Sequence, residues 1–121
     1  MPKNSCGGRS FINGSKKIRK LIKTYKKDLE KKIKVNKVIL FGSYARGKAD
    51  RDSDVDLVIL SKDFSKMRID KRLDLLQRER RNPLTHDFAM DIFGYTPAEL
   101  AKASPLTTLG EIKETGVEVE V

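Results

Sequence analysis

The segment Phe41-Gly-Ser-Tyr-Ala-Arg-Gly-Lys-Ala-Asp-Arg-Asp-Ser-Asp-Val-Asp-Leu-Val-Ile-Leu60 sets the architecture of the chain. The run from Val35 to Phe41 is rich in β-branched residues and predicts a strand that ends at Gly42. The run from Val55 to Leu60 predicts a second strand, which is almost wholly apolar and is therefore expected to be covered on both faces. The polar residues between the two runs are expected to stand at the edge of the core.

Two aspartates, Asp54 and Asp56, stand one residue apart at the start of the second strand. Strand geometry points both carboxylates to the same face, with Cβ atoms about 7 Å apart. Burying two like charges without partners is costly, and a pair of Mg²⁺ ions about 3.5–4 Å apart would offset the repulsion. Taken singly, each aspartate could instead be a turn residue, a cap or a satisfied structural carboxylate. Together with a third acid on another strand, the pair indicates a metal site.

Asp91 is the preferred third acid. It lies between Met90 and Ile92 in a predicted strand, where an aspartate has no packing role. If that strand neighbours the strand that begins at Val55, Asp91 completes the set of carboxylates. Asp87 lies on the same face four residues earlier, about 13 Å away along the strand, and is the second choice for this role.

Gly42 and Ser43 form the candidate phosphate site. Glycine lets the backbone approach a phosphate closely, and a helix beginning after the strand would offer free N–H groups and a partial positive charge. Ser43 adds a hydroxyl donor, and Arg46 can reach phosphate oxygens with its planar guanidinium group. The segment is not a P-loop, because no Gly-Lys-Ser or Gly-Lys-Thr follows.

The string Gly42-Ser43-x-Ala45-Arg46-Gly47-x-Ala49-x-x-x-Ser53-Asp54-x-Asp56-Leu57 resembles the signature of the DNA polymerase beta-like nucleotidyltransferase superfamily. In particular, it is similar to the minimal nucleotidyltransferases, or MNT proteins. The dense part of the resemblance covers about 20 residues. Less diagnostic similarity extends to the strand with Asp91, to Thr96-Pro97-Ala98-Glu99-Leu100 and to Glu111-Ile-Lys-Glu-Thr-Gly116-Val117.

The resemblance implies that Asp54 and Asp56 bind two Mg²⁺ ions, and that Asp91 completes the set and helps to activate the acceptor hydroxyl. The family reaction is in-line attack of a hydroxyl on the α-phosphorus of a nucleoside triphosphate, here expected to be ATP, with release of pyrophosphate. Two metal ions would stabilise the attacking and the leaving oxygen. The nucleotide-binding residues implied by the same match are Gly42, Ser43 and Arg46.

Minimal members of this family are often paired with HEPN proteins in toxin–antitoxin modules, so the resemblance also implies a partner. The antitoxin would add AMP to a tyrosine of the HEPN toxin, which is a ribonuclease. A chain of 121 residues is expected to leave no room for a second domain, so the partner or a homo-oligomer would supply the acceptor surface. Two other functions stay open: a module that neutralises its partner mainly by contact, and a protein that modifies or binds nucleic acid.

Positive charge is concentrated near the N-terminus. The whole sequence has a formal net charge of +9. Residues 1–37 hold 13 Lys and Arg against two acidic residues, a net +11, whereas residues 38–121 hold 13 against 15, a net −2. The basic helix predicted there can attract nucleic acid or an acidic partner, or form a solvated helix face. Its region has only Phe11 and Tyr25 as aromatic residues that could stack on bases.

The composition is that of a highly charged globular protein of one domain. The sequence contains neither an apolar run of about 18 residues nor a secretory signal, so no membrane association is expected. The single cysteine, Cys6, fits a cytoplasmic location. We expect residues 1–14 to be a flexible tail and residues 15–121 to form a single nucleotidyltransferase domain.

The remaining periodicities predict an α/β or α+β fold, with helices packed against a small mixed sheet of three to five strands. Apolar residues at spacings of three and four, from Ile18 to Ile33, predict an amphipathic helix that follows a cap at Ser15. A second helix over residues 66–81 is expected to bury Ile69, Leu73 and Leu76. The other predicted elements are a strand over residues 86–95, a capping box at Thr96 to Glu99 with a short helix, a helix over residues 106–115 that ends at Gly116, and an edge strand over residues 117–121.

Overall fold

The computed structural model describes residues 16–50 and 53–121. The predicted tail, residues 1–14, and the predicted cap at Ser15 lie outside these residues. Each helix in the described ranges is too short or too polar to span a bilayer. The elements in chain order are α1 (Lys16–Leu29), β1 (Lys37–Phe41), β2 (Val55–Leu60), a 3₁₀ segment (Lys62–Lys66), α2 (Ile69–Arg78), α3 (Pro83–His86), β3 (Met90–Tyr95), α4 (Pro97–Ala101), α5 (Thr108–Thr115) and β4 (Val117–Glu118).

The strands form one mixed sheet in the order β3-β2-β1-β4. β1 is antiparallel to both of its neighbours, whereas β2 and β3 are parallel. The parallel pair needs a crossover connection, which the 3₁₀ segment, α2 and α3 provide. The predicted fold class, a small mixed sheet with helices packed against it, is confirmed.

Helix α1 covers one face of the sheet. Its apolar residues recur at spacings of three and four, and Leu21, Ile22 and Tyr25 are fully buried. The Tyr25 hydroxyl donates a hydrogen bond of 2.6 Å to the carbonyl oxygen of Leu76, which ties α1 to α2. The helix ends at Leu29, earlier than predicted. Ile33 is buried as expected, but it lies in the segment that follows the helix.

The opposite face of the sheet holds a smaller core. Ile39 of β1 and Val58 and Leu60 of β2 pack there against Ile112 of α5. β2 thus contributes buried residues to both faces, as its apolar sequence predicted. The residues at the margin of this second core are only partly buried: Phe41, Tyr95 and Leu100.

The prediction for the inner face of α2 is confirmed for Leu76, which is fully buried, and wrong for Ile69 and Leu73. Ile69 is 52% exposed and Leu73 is 37% exposed, whereas Arg72 is buried beside Leu76. The Arg72 guanidinium pairs with Glu99 at 2.7 Å and donates hydrogen bonds to carbonyl oxygens of the 3₁₀ segment and of β3. A charged residue therefore takes a core position because its donors are satisfied there.

The third strand is shorter than predicted. Its first part, residues 86–89, is not strand, because Asn82 caps a further helix. The helix predicted over residues 66–81 is shorter as well, since α2 spans Ile69–Arg78. The Asn82 side chain accepts a hydrogen bond of 2.9 Å from the amide of Leu84, and Pro83 occupies the first helical position. As a result, Asp87 ends α3 and does not lie on a strand.

The C-terminal elements follow their predictions more closely. Thr96 and Glu99 form the reciprocal hydrogen bonds of a capping box, at 3.0 and 2.8 Å. Gly116 ends α5, as expected. β4 is an edge strand with its glutamate exposed, although it spans two residues where five were predicted.

Candidate active site

The parallel pairing of β2 and β3 brings two aspartates together at the start of both strands. Asp56 lies directly opposite Asp91 in the strand register, and neighbouring strands are about 4.8 Å apart. Asp56 lies two and four residues before Val58 and Leu60 of the smaller core, and side chains on one face of a strand recur every second residue. Its carboxylate and that of its register partner Asp91 therefore lie on that face of the sheet. Asp54, just before β2, is exposed. The two strands that carry Asp56 and Asp91 are therefore neighbours, which the sequence had left open.

Asp56 is the electrostatic centre of this group. Burial raises its pKa first, and the charges of Asp91 and then Asp54 raise it further, to about 6, while Arg46 acts in the opposite direction. No residue in the described ranges donates a hydrogen bond to its carboxylate. A half-buried carboxylate without a donor, repelled by two others, is an arrangement that a bound cation would stabilise.

Gly42 lies against the Asp56 carboxylate. A Cβ atom added to Gly42 would stand 2.1 Å from Oδ2 of Asp56, well inside any allowed contact. The residue also has a φ of +76°, in the left-handed region that favours glycine. Both the space and the backbone conformation therefore require glycine, and together they hold the end of β1 over the acid.

A hydrogen-bonded turn follows Gly42, where the sequence suggested the start of a helix. The Arg46 amide donates to the Gly42 carbonyl at 3.1 Å, and the Lys48 amide donates to the Ser43 carbonyl at 2.9 Å. The amides of Ser43 and Tyr44 donate no hydrogen bond to any residue that the structure describes. Free amides in a glycine turn form a concave site that suits an anion. Ser43 is half-buried and Arg46 is exposed at this turn.

Asp87, the second choice for the third acid, lies elsewhere. It is exposed at the end of α3, and its carboxylate is 3.4 Å from Nδ1 of His86. It lines an open groove of about 810 Å³ together with Lys17, Ser53 and Phe88. The charges that raise the pKa of Asp56 are those of Asp91 and Asp54, so the geometry groups Asp56 with Asp91 rather than with Asp87.

Comparison with known proteins identifies the family. The family model described as "Nucleotidyltransferase domain" matches residues 22–104, a range that contains the glycine turn and the three aspartates. The chain belongs to this nucleotidyltransferase family. The relationship confirms the resemblance seen in the Gly-Ser turn and the Asp-x-Asp pair.

Individual relatives of this nucleotidyltransferase extend the match over most of its length. MJ0141 of Methanocaldococcus jannaschii, which carries the name of a protein adenylyltransferase, is 35% identical over 101 residues, 82% of this chain and 95% of MJ0141. The protein adenylyltransferase MntA of Thermococcus cleftensis is 40% identical over 42 residues, 35% of this chain and 42% of MntA. A crystal structure of a Sulfolobus solfataricus protein named as a nucleotidyltransferase shares the fold, with a TM-score of 0.62 and 21% identity over 98% of this chain and 89% of that one.

The donor set of the nucleotidyltransferase site fits Mg²⁺, which prefers carboxylate oxygens. The described residues contain no group of three His, Cys, Asp or Glu side chains close enough to hold a metal ion by themselves. Mg²⁺ is commonly bound by one or two carboxylates together with substrate phosphates and water. The unpaired carboxylate of Asp56 beside the anion-binding turn fits a site completed by the nucleotide.

Two phenylalanines beside the acids were not singled out from the sequence. The rings of Phe41 and Phe93 lie 6.3 Å apart between centroids. Phe41 is opposite Asp56 in the register, and Phe93 follows Asp91 by two residues on the same face. Phe93 is 38% exposed. The spacing of two residues between Asp91 and Phe93 along β3 could have indicated that an aromatic side chain lies beside the carboxylate on the same face.

Proposed function

We propose that this nucleotidyltransferase transfers AMP from ATP to a hydroxyl group of a partner protein in a Mg²⁺-dependent reaction. The observation that carries the proposal is the position of Asp56, which faces Asp91 in the strand register and lies under the Gly42 backbone. Its carboxylate accepts no hydrogen bond from the residues that the structure describes. The names of MJ0141 and MntA support AMP as the transferred group and a protein as the acceptor.

Each polar residue of the site has a proposed task. The free amides of the turn and the Ser43 hydroxyl hold the β- and γ-phosphates, and Arg46 adds positive charge beside them. Asp54 and Asp56 bind two Mg²⁺ ions, and Asp91 completes the set. When bound, the two ions neutralise the triphosphate and stabilise the attacking and leaving oxygens.

The arrangement across the sheet suggests the direction of the reaction. Gly42 and Ser43 follow β1, whereas Asp91 lies on β3, with Asp56 of β2 between them. In-line displacement requires the attacking and leaving oxygens to lie on opposite sides of the α-phosphorus. With pyrophosphate leaving on the β1 side, the acceptor hydroxyl approaches from the β3 side, where the Asp91 carboxylate can accept its proton.

The proposed acceptor is a tyrosine of a HEPN-type toxin, with the present chain as its antitoxin. This part of the proposal rests on the similarity of the Gly42-to-Leu57 signature to the minimal nucleotidyltransferases. A contact-only antitoxin is the competing function, because Arg46 and the basic helix could bind a partner without catalysis.

The test is transfer of label from α-labelled ATP to a HEPN-type partner in the presence of Mg²⁺. Asp56→Asn should lower the transfer rate by roughly 10²–10³-fold, the loss expected when a central electrostatic group is removed from an active site. Asp87→Asn is the matched control: it removes an exposed carboxylate outside the group of Asp54, Asp56 and Asp91 and should leave the rate unchanged.

Persistence of label transfer in the double variant Asp54→Asn/Asp56→Asn would overturn the assignment of these carboxylates. Loss of transfer in Asp87→Asn with a normal rate in Asp91→Asn would show that the wrong third acid has been chosen. Full neutralisation of the toxin by the double variant would favour the contact mechanism over catalysis.

A further inference from the structure

The outer side of α1 carries an unpaired row of positive charge. Its lysines recur at i, i+4, i+7 and i+11, so they share one side of the helix, opposite the buried apolar residues. All four are exposed. The row is about 16 Å long at the rise of an α-helix. We call this set the lysine stripe: Lys16, Lys20, Lys23 and Lys27.

The other basic residues of α1 are engaged by the fold. Arg19 donates to the Glu120 carbonyl at 2.8 Å, and Lys26 donates to the Val121 carbonyl at 3.2 Å. The Lys17 ammonium lies 5.5 Å from the centre of the Phe88 ring. In the part of the chain that the structure describes, no acidic side chain forms an ion pair with the lysine stripe.

The lysine stripe weakens the helix that carries it. Like charges at i and i+4 destabilise a helix. The first turn of α1 contains no acidic residue, so the basic residues there also oppose the positive end of the helix dipole. Lys27 lies in the last turn, where positive charge favours the helix dipole. The buried apolar face, rather than the charge of Lys16, Lys20 and Lys23, holds α1 in place.

We propose that the lysine stripe docks an acidic helix of a partner protein, one that presents glutamates or aspartates at the same spacings of three and four. The choice of a protein over nucleic acid rests in part on the proposed function, in which the acceptor is a protein. It also rests on the side chains: the stripe has no arginine fork for phosphates, and Tyr25, the aromatic residue of α1, is buried and unable to stack on a base.

The docking surface is separate from the catalytic face but reaches the same end of the sheet. α1 covers the face opposite to the one that carries Asp56 and Asp91. Lys17 of its first turn and Ser53, the neighbour of Asp54, line one groove. A helix bound along the stripe can therefore hold the partner beside the active site without occupying it.

The test measures fluorescence anisotropy of a labelled, alanine-rich helical peptide with four glutamates at the spacings of the stripe. The full chain should bind this peptide, and binding should weaken with added salt. The triple variant Lys20→Gln/Lys23→Gln/Lys27→Gln should raise the Kd about tenfold, from the loss of three exposed charge pairs. The matched control Lys62→Gln/Lys66→Gln/Lys102→Gln removes three exposed lysines elsewhere and should leave the Kd unchanged.

Three results would overturn the proposal: equal losses in the two triple variants, equal binding of a scrambled peptide of the same composition, or tighter binding of an RNA duplex of the same charge. Asp56→Asn separates this proposal from the proposed function. That variant should bind the peptide normally even if it has lost transfer, and the lysine variants should bind Mg²⁺ and ATP normally. A failure of one proposal thus leaves a distinct signature from a failure of the other.

Discussion

The two faces of the sheet are built from the same strands but differ in how they are closed. On one face, α1 buries a continuous core that includes Leu21, Ile22 and Tyr25, each with no exposed surface. On the other face, α5 covers only part of the sheet, and Phe93 remains 38% exposed beside the carboxylates. The closed face supplies most of the apolar burial, and the open face carries the site.

This difference explains how a small chain can hold several acids close together. Repulsion among Asp54, Asp56 and Asp91 opposes folding, as the raised pKa of Asp56 indicates. The burial that offsets the repulsion lies on the opposite side of the same strands. β2 connects the two, because its alternate residues belong to the two cores.

Truncation of one residue on each face gives the largest expected contrast in stability. Ile22→Ala leaves a cavity in the closed core and should lower the free energy of unfolding by about 2–5 kcal/mol. Phe93→Ala removes a larger side chain, but one that is partly solvated, and should cost only about 1–2 kcal/mol. Urea denaturation of both variants measures the difference. An equal or larger cost for Phe93→Ala would mean that the open face also carries the core.

The same contrast shows why the sequence predicted some elements well. α1 and β2 have simple patterns, with apolar residues at helical spacing in one and an unbroken apolar run in the other. Their burial follows directly from those patterns. The paired acids and the glycine turn were also identifiable, because carboxylates and glycine in those positions have few packing roles.

Other features depended on contacts that no local pattern encodes. Arg72, rather than Leu73, is the buried residue on the inner face of α2, because Glu99, 27 residues away, accepts its hydrogen bonds. Asn82-Pro83 begins a helix, whereas α2 already ends at Arg78, and only the observed cap distinguishes a helix start from a helix stop at this dipeptide. The adjacency of Asp56 and Asp91 required the strand order, which depends on how the crossover packs.

The glycine turn marks the boundary of the open face and supplies the second test. Gly42 and Gly47 both have positive φ, at 76° and 71°, so alanine at either position should cost about 1–2 kcal/mol of stability. In Gly42→Ala the new Cβ also collides with the Asp56 carboxylate, and that variant alone should lose affinity for Mg²⁺ and ATP. Thermal unfolding and calorimetric titration measure the two effects.

A double-mutant comparison isolates the contact between residue 42 and the Asp56 carboxylate. In an Asp56→Ala background, the carboxylate that a Gly42 Cβ would meet is gone, and the remaining Cβ lies at an ordinary contact distance of 3.4 Å. Gly42→Ala should then cost no more stability than Gly47→Ala. If Gly42→Ala binds Mg²⁺ and ATP as well as Gly47→Ala does in the parent chain, the closeness of the turn to Asp56 has no functional importance.

The smallest expected effect is a pH dependence that Asp56 gives to the open face. The pKa of Asp56 is raised from its ordinary value of 3.8 to about 6, so the folded state binds this proton more tightly than the unfolded state. Its contribution to stability is therefore fully present below about pH 4 and is lost as the pH rises through 6.

Mg²⁺ requires the ionised carboxylate, so its affinity should change in the opposite direction. Below about pH 6 the apparent affinity should fall by up to tenfold per pH unit, and above that pH it should level off. Titration of Mg²⁺ between pH 5 and 8, followed by thermal unfolding, measures this dependence. Asp56→Asn should abolish it, whereas Asp87→Asn should leave it intact. A Mg²⁺ affinity that is constant over this range would mean that Asp56 does not bind the ion, and the open face would then need another explanation for its unpaired carboxylate.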